Sequence, residues 1–157
     1  MAWLTGGGRI SSAAAETPES LAEKNRLFAA RIVGEASGRR EEDTDETYRT
    51  LSQCVERVLN DCGDQMGQLA ARLDPNSCGL ISPDKFASLA DELFEADKGF
   101  VIRWERIIVL FAFTFVLSKR LVGRGETSTH TEKLLASYLN EKISSWIQQH
   151  GGWVNTG

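Results

Sequence analysis

The chain has 157 residues, of which 41% are hydrophobic and 25% are charged, a balance that is typical of one globular domain and excludes a disordered or fibrous protein. Its formal net charge of −4 lacks the basic surplus of a nucleic-acid-binding domain and so argues against nucleic acid as the main partner. Of the three cysteines, Cys54 and Cys62 lie about 12 Å apart on one predicted helix, which is too far for a disulfide and favours a reducing compartment.

The N-terminal segment is rich in glycine, serine and alanine and lacks the apolar region of a secretory signal, so it predicts a flexible tail. The longest apolar run, Ile107–Leu117, is shorter than the roughly 20 residues that span a bilayer, so it predicts a buried helix. We therefore expect a tail over residues 1–16 and one domain over residues 17–157.

Helical spacing recurs through the rest of the chain, whereas the alternation of a strand is nearly absent. The first helix is predicted to begin at Thr17-Pro18, a capping residue followed by proline, and to run to about Ala36, where Gly38 ends it. Residues 39–46 are almost wholly charged and predict a solvated loop. The inward face of the first helix comprises Leu21, Phe28 and Ile32.

The second helix carries an apolar stripe with spacings of three and four residues, which predicts one buried face. The stripe comprises Tyr48, Leu51, Val55, Leu59, Cys62, Met66, Leu69 and Leu73. A turn is predicted at Asp74–Asn76, and Ser82-Pro83 then caps a third helix that is predicted to end near residues 97–99. The inward face of this third helix comprises Phe86, Leu89, Ala90, Leu93 and Phe94.

Residues 100–122 are apolar nearly all the way round, which is typical of a helix enclosed by others. A last helix is predicted from about His130 to Gln149, and Gly151-Gly152 should end it because glycine accepts the left-handed conformation found past helix ends. Its inward residues are Leu134, Leu135, Tyr138, Leu139, Ile143, Trp146 and Ile147. The predicted fold class is all-α, a bundle in which amphipathic helices surround a central apolar helix.

The end of the last helix carries the most specific motif of the chain. Residues 138–153 read Tyr-Leu-Asn-Glu-Lys-Ile-Ser-Ser-Trp-Ile-Gln-Gln-His-Gly-Gly-Trp. This segment resembles the second homology motif of the B-cell lymphoma-2 (Bcl-2) family of apoptosis regulators, including Trp146, Gly151, Gly152 and Trp153. The turn at the glycines would let Trp153 fold back on the bundle, whereas the plain structural interpretation is a simple helix terminus.

A second segment, Arg103-Trp104-Glu105-Arg106, is similar to the family's first motif, Asn-Trp-Gly-Arg. In the family this arginine binds an aspartate of an incoming helix, so the resemblance implies the same charge-assisted contact for Arg106. The alternative is that Arg106 caps a helix near the surface. Glu105 replaces the family's glycine and Arg103 its asparagine, and the Glu105 carboxylate adds bulk and would repel a ligand aspartate.

A third segment, Val55-x-x-x-Leu59-x-x-Cys62-Gly63-Asp64-x-Met66, is similar to the family's third motif, in which a small residue and an aspartate stand between apolar positions. Core-facing periodicity explains the apolar residues but not the Gly63-Asp64 pair. Since glycine inside a helix costs about 1 kcal/mol relative to alanine, we expect a packing reason for Gly63. The first helix stands where the family's fourth motif would be, and the resemblance covers residues 17–153.

No spacing supports a catalytic or metal site. His130 and His150 are isolated, the cysteines form no paired motif, and the glycine-rich stretches lack the strand and helix of a phosphate loop. We interpret both histidines as surface residues, and we expect a protein that is not an enzyme and uses neither a cofactor nor a metal.

The resemblance implies a pro-survival regulator of apoptosis that binds amphipathic death-motif (BH3-type) helices of pro-apoptotic relatives in an apolar surface groove. Arg106 would hold the ligand aspartate, with Trp104 and Glu105 beside it. The pockets would lie between the helices at 47–73, 82–97 and 100–122, and their candidate residues are Met66, Leu69, Phe86, Leu89, Leu93 and Phe111.

Two alternatives share this fold. One is a membrane-permeabilising effector that exposes its own segment from Val55 to Met66 and inserts its central helix into the outer mitochondrial membrane. The other is a helical scaffold without a groove. For the pro-survival regulator we expect a cytoplasmic location, and association with the outer mitochondrial or endoplasmic reticulum membrane where the full-length protein carries a C-terminal anchor.

Overall fold

A computed structural model describes residues 17–38, 45–73, 81–96, 99–123 and 129–153. The predicted tail over residues 1–16, most of the predicted loop 39–46 and the predicted turn at Asp74–Asn76 lie outside the described residues. The described ranges form helices packed around one central helix, together with one short hairpin. The predicted all-α bundle is confirmed.

Helix α1 spans Pro18–Ala36 and begins where its capping residue predicts. The hydroxyl of Thr17 accepts a hydrogen bond of 3.0 Å from the backbone N–H of Ser20. Gly38 follows the helix with φ +89°, a conformation that glycine adopts without strain because it has no Cβ. The predicted inward residues Leu21, Phe28 and Ile32 are all buried.

Helix α2 spans Glu46–Leu73 and packs mainly along the central helix. The Asp45 carboxylate caps it by accepting hydrogen bonds from the backbone N–H groups of Thr47 and Tyr48, at 2.8 and 3.2 Å. The backbone leaves helical geometry at Cys62 (φ −133°, ψ 21°), a kink that the sequence does not predict. Along the predicted stripe Tyr48, Leu51, Val55 and Met66 are buried, and Leu59, Cys62, Leu69 and Leu73 are half-buried. The two thiols on this helix, Cys54 and Cys62, are free, as their separation predicts.

Helix α3 spans Pro83–Phe94 and is capped by the Ser82 hydroxyl, which accepts a hydrogen bond of 3.1 Å from the backbone N–H of Lys85. The prediction that this helix continues to about residue 97 is wrong. A hairpin follows at once, in which strand β1 (Glu95–Ala96) pairs antiparallel with strand β2 (Gly99–Phe100). Gly99 has φ +102°, which no helix contains, so the hairpin separates α3 from the next helix.

Helix α4 spans Trp104–Gly123, so the prediction that the central helix begins at Phe100 is wrong by one turn. Its central position is confirmed, because α1, α2, α3 and α5 (Thr129–Tyr138) all pack against it. The apolar residues that it buries completely are Ile107, Leu110, Phe111, Ala112, Phe113 and Leu117. Among the described helices, none is both long and apolar enough to cross a membrane.

The last predicted helix is interrupted. After α5 the chain forms a π-helical turn, Leu139–Ile143, and then helix α6, Ser144–Gln149. The predicted terminus is confirmed, because Gly151 and Gly152 have φ of +92° and +83° and the N–H of Gly152 donates to the carbonyl of Ile147 at 2.8 Å. The turn directs Trp153 back into the bundle, where it is fully buried.

Candidate functional site

A cleft separates the C-terminal end of α2 from α3. Its volume is about 320 Å³. Leu73 and Leu89 provide its apolar surface, and the remaining lining side chains are polar or charged. These are Arg72, Asp84, Lys85, Ser88 and Glu92. The cleft lies between two of the predicted groove helices and combines an apolar base with a charged rim.

An ion pair closes the rim of this cleft. The Arg72 guanidinium donates two parallel hydrogen bonds to the Glu92 carboxylate, of 3.0 Å from Nη1 to Oε1 and 2.9 Å from Nη2 to Oε2. The hydrogen bond lowers the pKa of Glu92 below its usual value and raises the pKa of Arg72 above its own. Both groups are therefore charged at neutral pH, and they join the two walls directly.

Arg106 lies at the same end of α3, but in the ligand-free chain it contacts backbone. Its Nη1 donates to the carbonyl of Leu93 at 3.2 Å and to the carbonyl of Glu95 at 3.0 Å. A cation that pairs with the last carbonyls of a helix satisfies acceptors that have no intrahelical donor. Arg106 thus has the capping role that the sequence offers as its alternative interpretation. Leu93, whose carbonyl it binds, directly follows Glu92 in the chain.

The predicted pocket residues divide between the cleft and the interior. Leu89 lines the cleft, Leu69 and Leu93 are half-buried, and Met66 is buried. The structure does not bring the two phenylalanines to the cleft. Phe86 lies against Phe113 and Tyr138, with ring centroids 6.0 and 6.2 Å apart. Phe111 packs edge-on against Trp153 at 5.9 Å.

Phe86 instead lines a second cavity, of about 200 Å³, between α3 and α5. His130 also borders this cavity and is half-buried, with its Nε2 2.6 Å from the carbonyl oxygen of Ile81. His130, predicted as a surface residue, is thus only partly exposed, whereas His150 is exposed as predicted. The imidazole of His130 helps to hold the chain just before the Ser82 cap.

The segments that resemble the first and second motifs meet in a cluster of tryptophans. The Trp104 ring lies 5.1 Å from that of Trp146 and 5.8 Å from that of Trp153, measured between centroids. Trp153 donates from Nε1 to Asn25 Oδ1 at 2.8 Å. Glu105 is exposed beside this cluster, on the first turn of α4.

Asn25 is a central residue that sequence reasoning missed. It is completely buried on α1, and its Nδ2 donates to Asn140 Oδ1 at 2.8 Å and to Ser144 Oγ at 2.7 Å. A signal was present, because Asn25 falls between Leu21 and Phe28 on the apolar stripe of α1. A polar residue on such a stripe indicates a buried hydrogen-bond partner elsewhere in the chain.

The segment that resembles the third motif faces mostly inward. Val55 and Met66 are buried, Leu59 and Cys62 are half-buried, and Asp64 is exposed. We expected a packing reason for Gly63, and this expectation is wrong. A Cβ at this position would meet nothing within 4 Å. The glycine leaves open space beside Asp64 rather than admitting a neighbouring helix.

Comparison with known proteins identifies the family. The family described as apoptosis regulator proteins, Bcl-2 family, matches residues 51–153, which is more than half of the chain. The chain belongs to the Bcl-2 family. The match includes all three segments that carried the resemblance in the sequence.

Curated members of the Bcl-2 family resemble this chain over part of their length. Bcl-2-related protein A1 from Bos taurus is 26% identical over 71% of this chain and 55% of its own. Anti-apoptotic protein NR13 from Gallus gallus is 32% identical over 53% of this chain and 44% of its own. The chain therefore spans about half the length of these relatives.

Solved structures of Bcl-2 family proteins share the fold. The zebrafish pro-survival protein NRZ without ligand has a TM-score of 0.77 at 24% identity, over 88% of this chain and 92% of that one. The complex of NRZ with the Bad BH3 segment has a TM-score of 0.74 at 25% identity, over 88% and 95% of the two chains. Chicken BOK, at 15% identity and a TM-score of 0.66, shows the fold alone.

Proposed function

We propose that this chain is a pro-survival Bcl-2 family regulator that sequesters BH3-type helices in the cleft between α2 and α3. The observation that carries the proposal is the cleft itself, with its apolar base and charged rim between those two helices. Support comes from NRZ, which has the same fold and was crystallised with the Bad BH3 segment, and from the relative NR13, which is named an anti-apoptotic protein. An amphipathic helix placed in an apolar groove is a general mode of peptide recognition.

Apolar residues of the ligand helix would replace solvent at the base of the cleft. Leu73 and Leu89 already face this space, and Leu69 and Leu93 retain half-exposed surface nearby. Apolar area that leaves water on binding contributes roughly 25 cal/mol per Å² before the cost of ordering the ligand. This burial would supply affinity, while charged contacts at the rim would select the register of the ligand.

Arg106 would provide the main charged contact. Both hydrogen bonds described for it leave from Nη1, so the other edge of its guanidinium is directed away from Leu93 and Glu95. A planar guanidinium has five donors, which lets it keep its hydrogen bond to a backbone carbonyl while it also donates to a ligand carboxylate. Glu105 is exposed next to it and would repel the same carboxylate, so its presence lowers affinity for acidic ligands.

Calorimetric titration with a synthetic Bad BH3 peptide tests the proposal. We expect saturable binding, and we expect Arg106→Ala to weaken it by about 1–3 kcal/mol, the range for a hydrogen bond to a charged group. Arg103→Ala is the matched control, because Arg103 is an exposed arginine on the same segment without an assigned contact to the ligand. Affinity that is equal in the Arg106 and Arg103 variants would contradict the role of Arg106, and absence of binding would contradict the function.

Release of dye from liposomes separates this function from the effector alternative. The third-motif segment has Val55 and Met66 buried against the bundle, so an effector would first have to expose them. We expect no dye release on addition of the Bad BH3 peptide, at the outer mitochondrial lipid composition where we propose the protein acts. Peptide-triggered release would overturn the pro-survival assignment and favour the effector.

A further inference from the structure

The two walls of the cleft are joined directly at its rim. Helix α2 packs along α4 and contacts α3 only over a short stretch, while α3 packs against α4 and α5. Across this short contact the Arg72 guanidinium and the Glu92 carboxylate form their two parallel hydrogen bonds. The bidentate geometry fixes both the distance and the orientation of the two walls at that point.

The α2 wall has a low intrinsic helical preference over its last third. The helix is kinked at Cys62, and the segment that follows, 63–73, contains Gly63 and Gly67. A Cβ at either glycine would meet nothing within 4 Å, so packing does not require these residues to be glycine. Each glycine inside a helix costs about 1 kcal/mol relative to alanine. Segment 63–73 is thus a helical arm of low intrinsic helical preference, which begins at a kink, is anchored in the core by Met66 and Ala70, and carries Arg72 near its C-terminal end.

The cleft in its present form has room for side chains of a ligand helix. Its volume of about 320 Å³ is at the lower limit of ordinary ligand pockets, which hold roughly 300–1,000 Å³. An α-helix with its side chains is roughly 10 Å across, so a ligand helix would lie along the open side of the cleft and insert only single side chains between the walls. Arg72 and Glu92 line this cleft and bond to each other across it, so side chains that enter more deeply must part the pair and move the arm away from α3.

We infer that the Arg72–Glu92 pair is a charged latch, which holds the 63–73 arm against α3 and which a ligand helix must open. The inference rests on the proposed function, because it names how that same cleft is regulated. Opening the pair costs free energy, so the closed latch lowers the affinity of the cleft for a ligand helix. This affinity also depends on ionic strength, because an exposed ion pair is screened by salt.

The size of the effect follows from the exposure of the pair. The side chains of Arg72 and Glu92 are 55% and 44% exposed, so solvent screens much of their attraction. Exposed pairs of this kind alter equilibria modestly, and we expect opening of the latch to tighten peptide binding about two- to five-fold at low salt. At high salt the difference should nearly disappear.

The experiment compares three variants with the wild-type protein. Arg72→Met keeps the length of the side chain but removes its charge and donors, and the double variant Arg72→Glu/Glu92→Arg restores a pair with reversed charges. The matched control is Arg26→Met, since Arg26 forms an ion pair with Glu23 within α1 at a similar exposure of 56% for each side chain. Hydrogen exchange of the 63–73 amides is measured without peptide, and calorimetry with the Bad BH3 peptide is measured at low and high salt.

The expected result has two parts. Arg72→Met accelerates exchange in the 63–73 arm and tightens peptide binding at low salt, whereas the reversed pair restores both properties toward wild type and Arg26→Met changes neither. Unchanged exchange in Arg72→Met would overturn the latch. Faster exchange together with equal or weaker peptide binding would show that the Arg72–Glu92 pair does not oppose ligand binding. Failure of every protein to bind the peptide, with the wild type included, would instead overturn the proposed function and the regulatory role that depends on it.

Discussion

Tyr138 has its phenol buried between α3 and α5, although its oxygen keeps a polar partner. The hydroxyl donates to Asp91 Oδ1 at 2.7 Å, and the ring lies 6.2 Å from the rings of both Phe86 and Phe94. Burial raises the pKa of Tyr138 well above its usual value, and the hydrogen bond to Asp91 raises it further. The folded protein therefore keeps this phenol protonated at a pH where an exposed tyrosine ionises.

Stability should consequently depend on alkaline pH through Tyr138. The pKa in the folded state lies above that in the unfolded state, so the stabilisation is complete below about pH 10 and is lost as pH rises further. We expect the free energy of unfolding in urea to fall as the pH rises above about pH 10. Tyr138→Phe should show a shallower fall, and an identical slope in the two proteins would refute the assignment.

Arg106 shows which part of a site the sequence can predict. Its motif placed it at the start of the central helix, and the structure has it there. Its hydrogen-bond partners, the carbonyls of Leu93 and Glu95, depend on where α3 ends, and α3 ends earlier than its periodicity predicts. Phe86, which the sequence placed in the groove, lies toward α5 in the structure, because this helix buries apolar residues against both the cleft and α5.

Among the elements, α2 combines a continuous apolar stripe with a C-terminal half of low intrinsic helical preference. Its N-terminal half begins at the Asp45 cap and buries Tyr48, Leu51 and Val55, which stabilises it through tertiary packing. After the kink at Cys62, glycines at positions 63 and 67 reduce the intrinsic helical preference. The two halves of this one helix should therefore differ in local stability.

Alanine at Gly63 should stabilise the protein. The position has helical geometry and open space for a Cβ, so Gly63→Ala reduces the entropy of the unfolded chain without causing a clash. We expect a gain of about 0.4–1 kcal/mol, which corresponds to an increase in Tm of roughly 1–4 °C for a chain of this size. Differential scanning calorimetry measures the change.

Gly38 provides the matched control for this substitution. It also has open space around the position of a Cβ, but its φ of +89° strains any other side chain. Gly38→Ala should therefore lower Tm while Gly63→Ala raises it. A decrease in both variants would show that Gly63 has a packing role that the described residues do not reveal.

The helices that the sequence predicts well are those whose boundaries are local. Thr17 and Ser82 cap α1 and α3 with their own hydroxyls, and the apolar length of α4 marks it as central whatever surrounds it. The kink at Cys62, the β1–β2 hairpin and the π-helical turn were not predicted, because each depends on neighbouring elements. The base of the hairpin, for instance, is closed by a hydrogen bond of 2.7 Å, which the N–H of Val101 donates to the carbonyl of Phe94.

Across the whole molecule, Asn25 connects the first helix with the end of the chain. Its side chain bonds Asn140, Ser144 and Trp153, residues that lie 115 to 128 positions away. No pattern within α1 could identify these partners, since their proximity results from the complete fold. Asn25 and Trp153 are completely buried, so loss of the Asn25 amide leaves the buried indole N–H of Trp153 without its acceptor.

Replacement of Asn25 should destabilise the entire bundle. Asn25→Ala leaves the indole N–H of Trp153 without its acceptor, and an unsatisfied buried group costs about 1–3 kcal/mol. Urea denaturation should show this loss in the free energy of unfolding. Asn140→Ala is the control. Asn140 is exposed, so water can take its place beside Asn25, and the decrease in the free energy of unfolding should be smaller. Equal losses would argue against a special role for the buried amide.

The packing of Trp104 against both Trp146 and Trp153, with ring centroids within 6 Å of its own, also gives the molecule an intrinsic optical signal. The indole of Trp153 is shielded from water only while the turn at Gly151 and Gly152 holds it in the bundle. Loosening of that turn would wet the ring and move its fluorescence emission to longer wavelength. Undocking of this end of the chain can therefore be followed in real time without an attached dye.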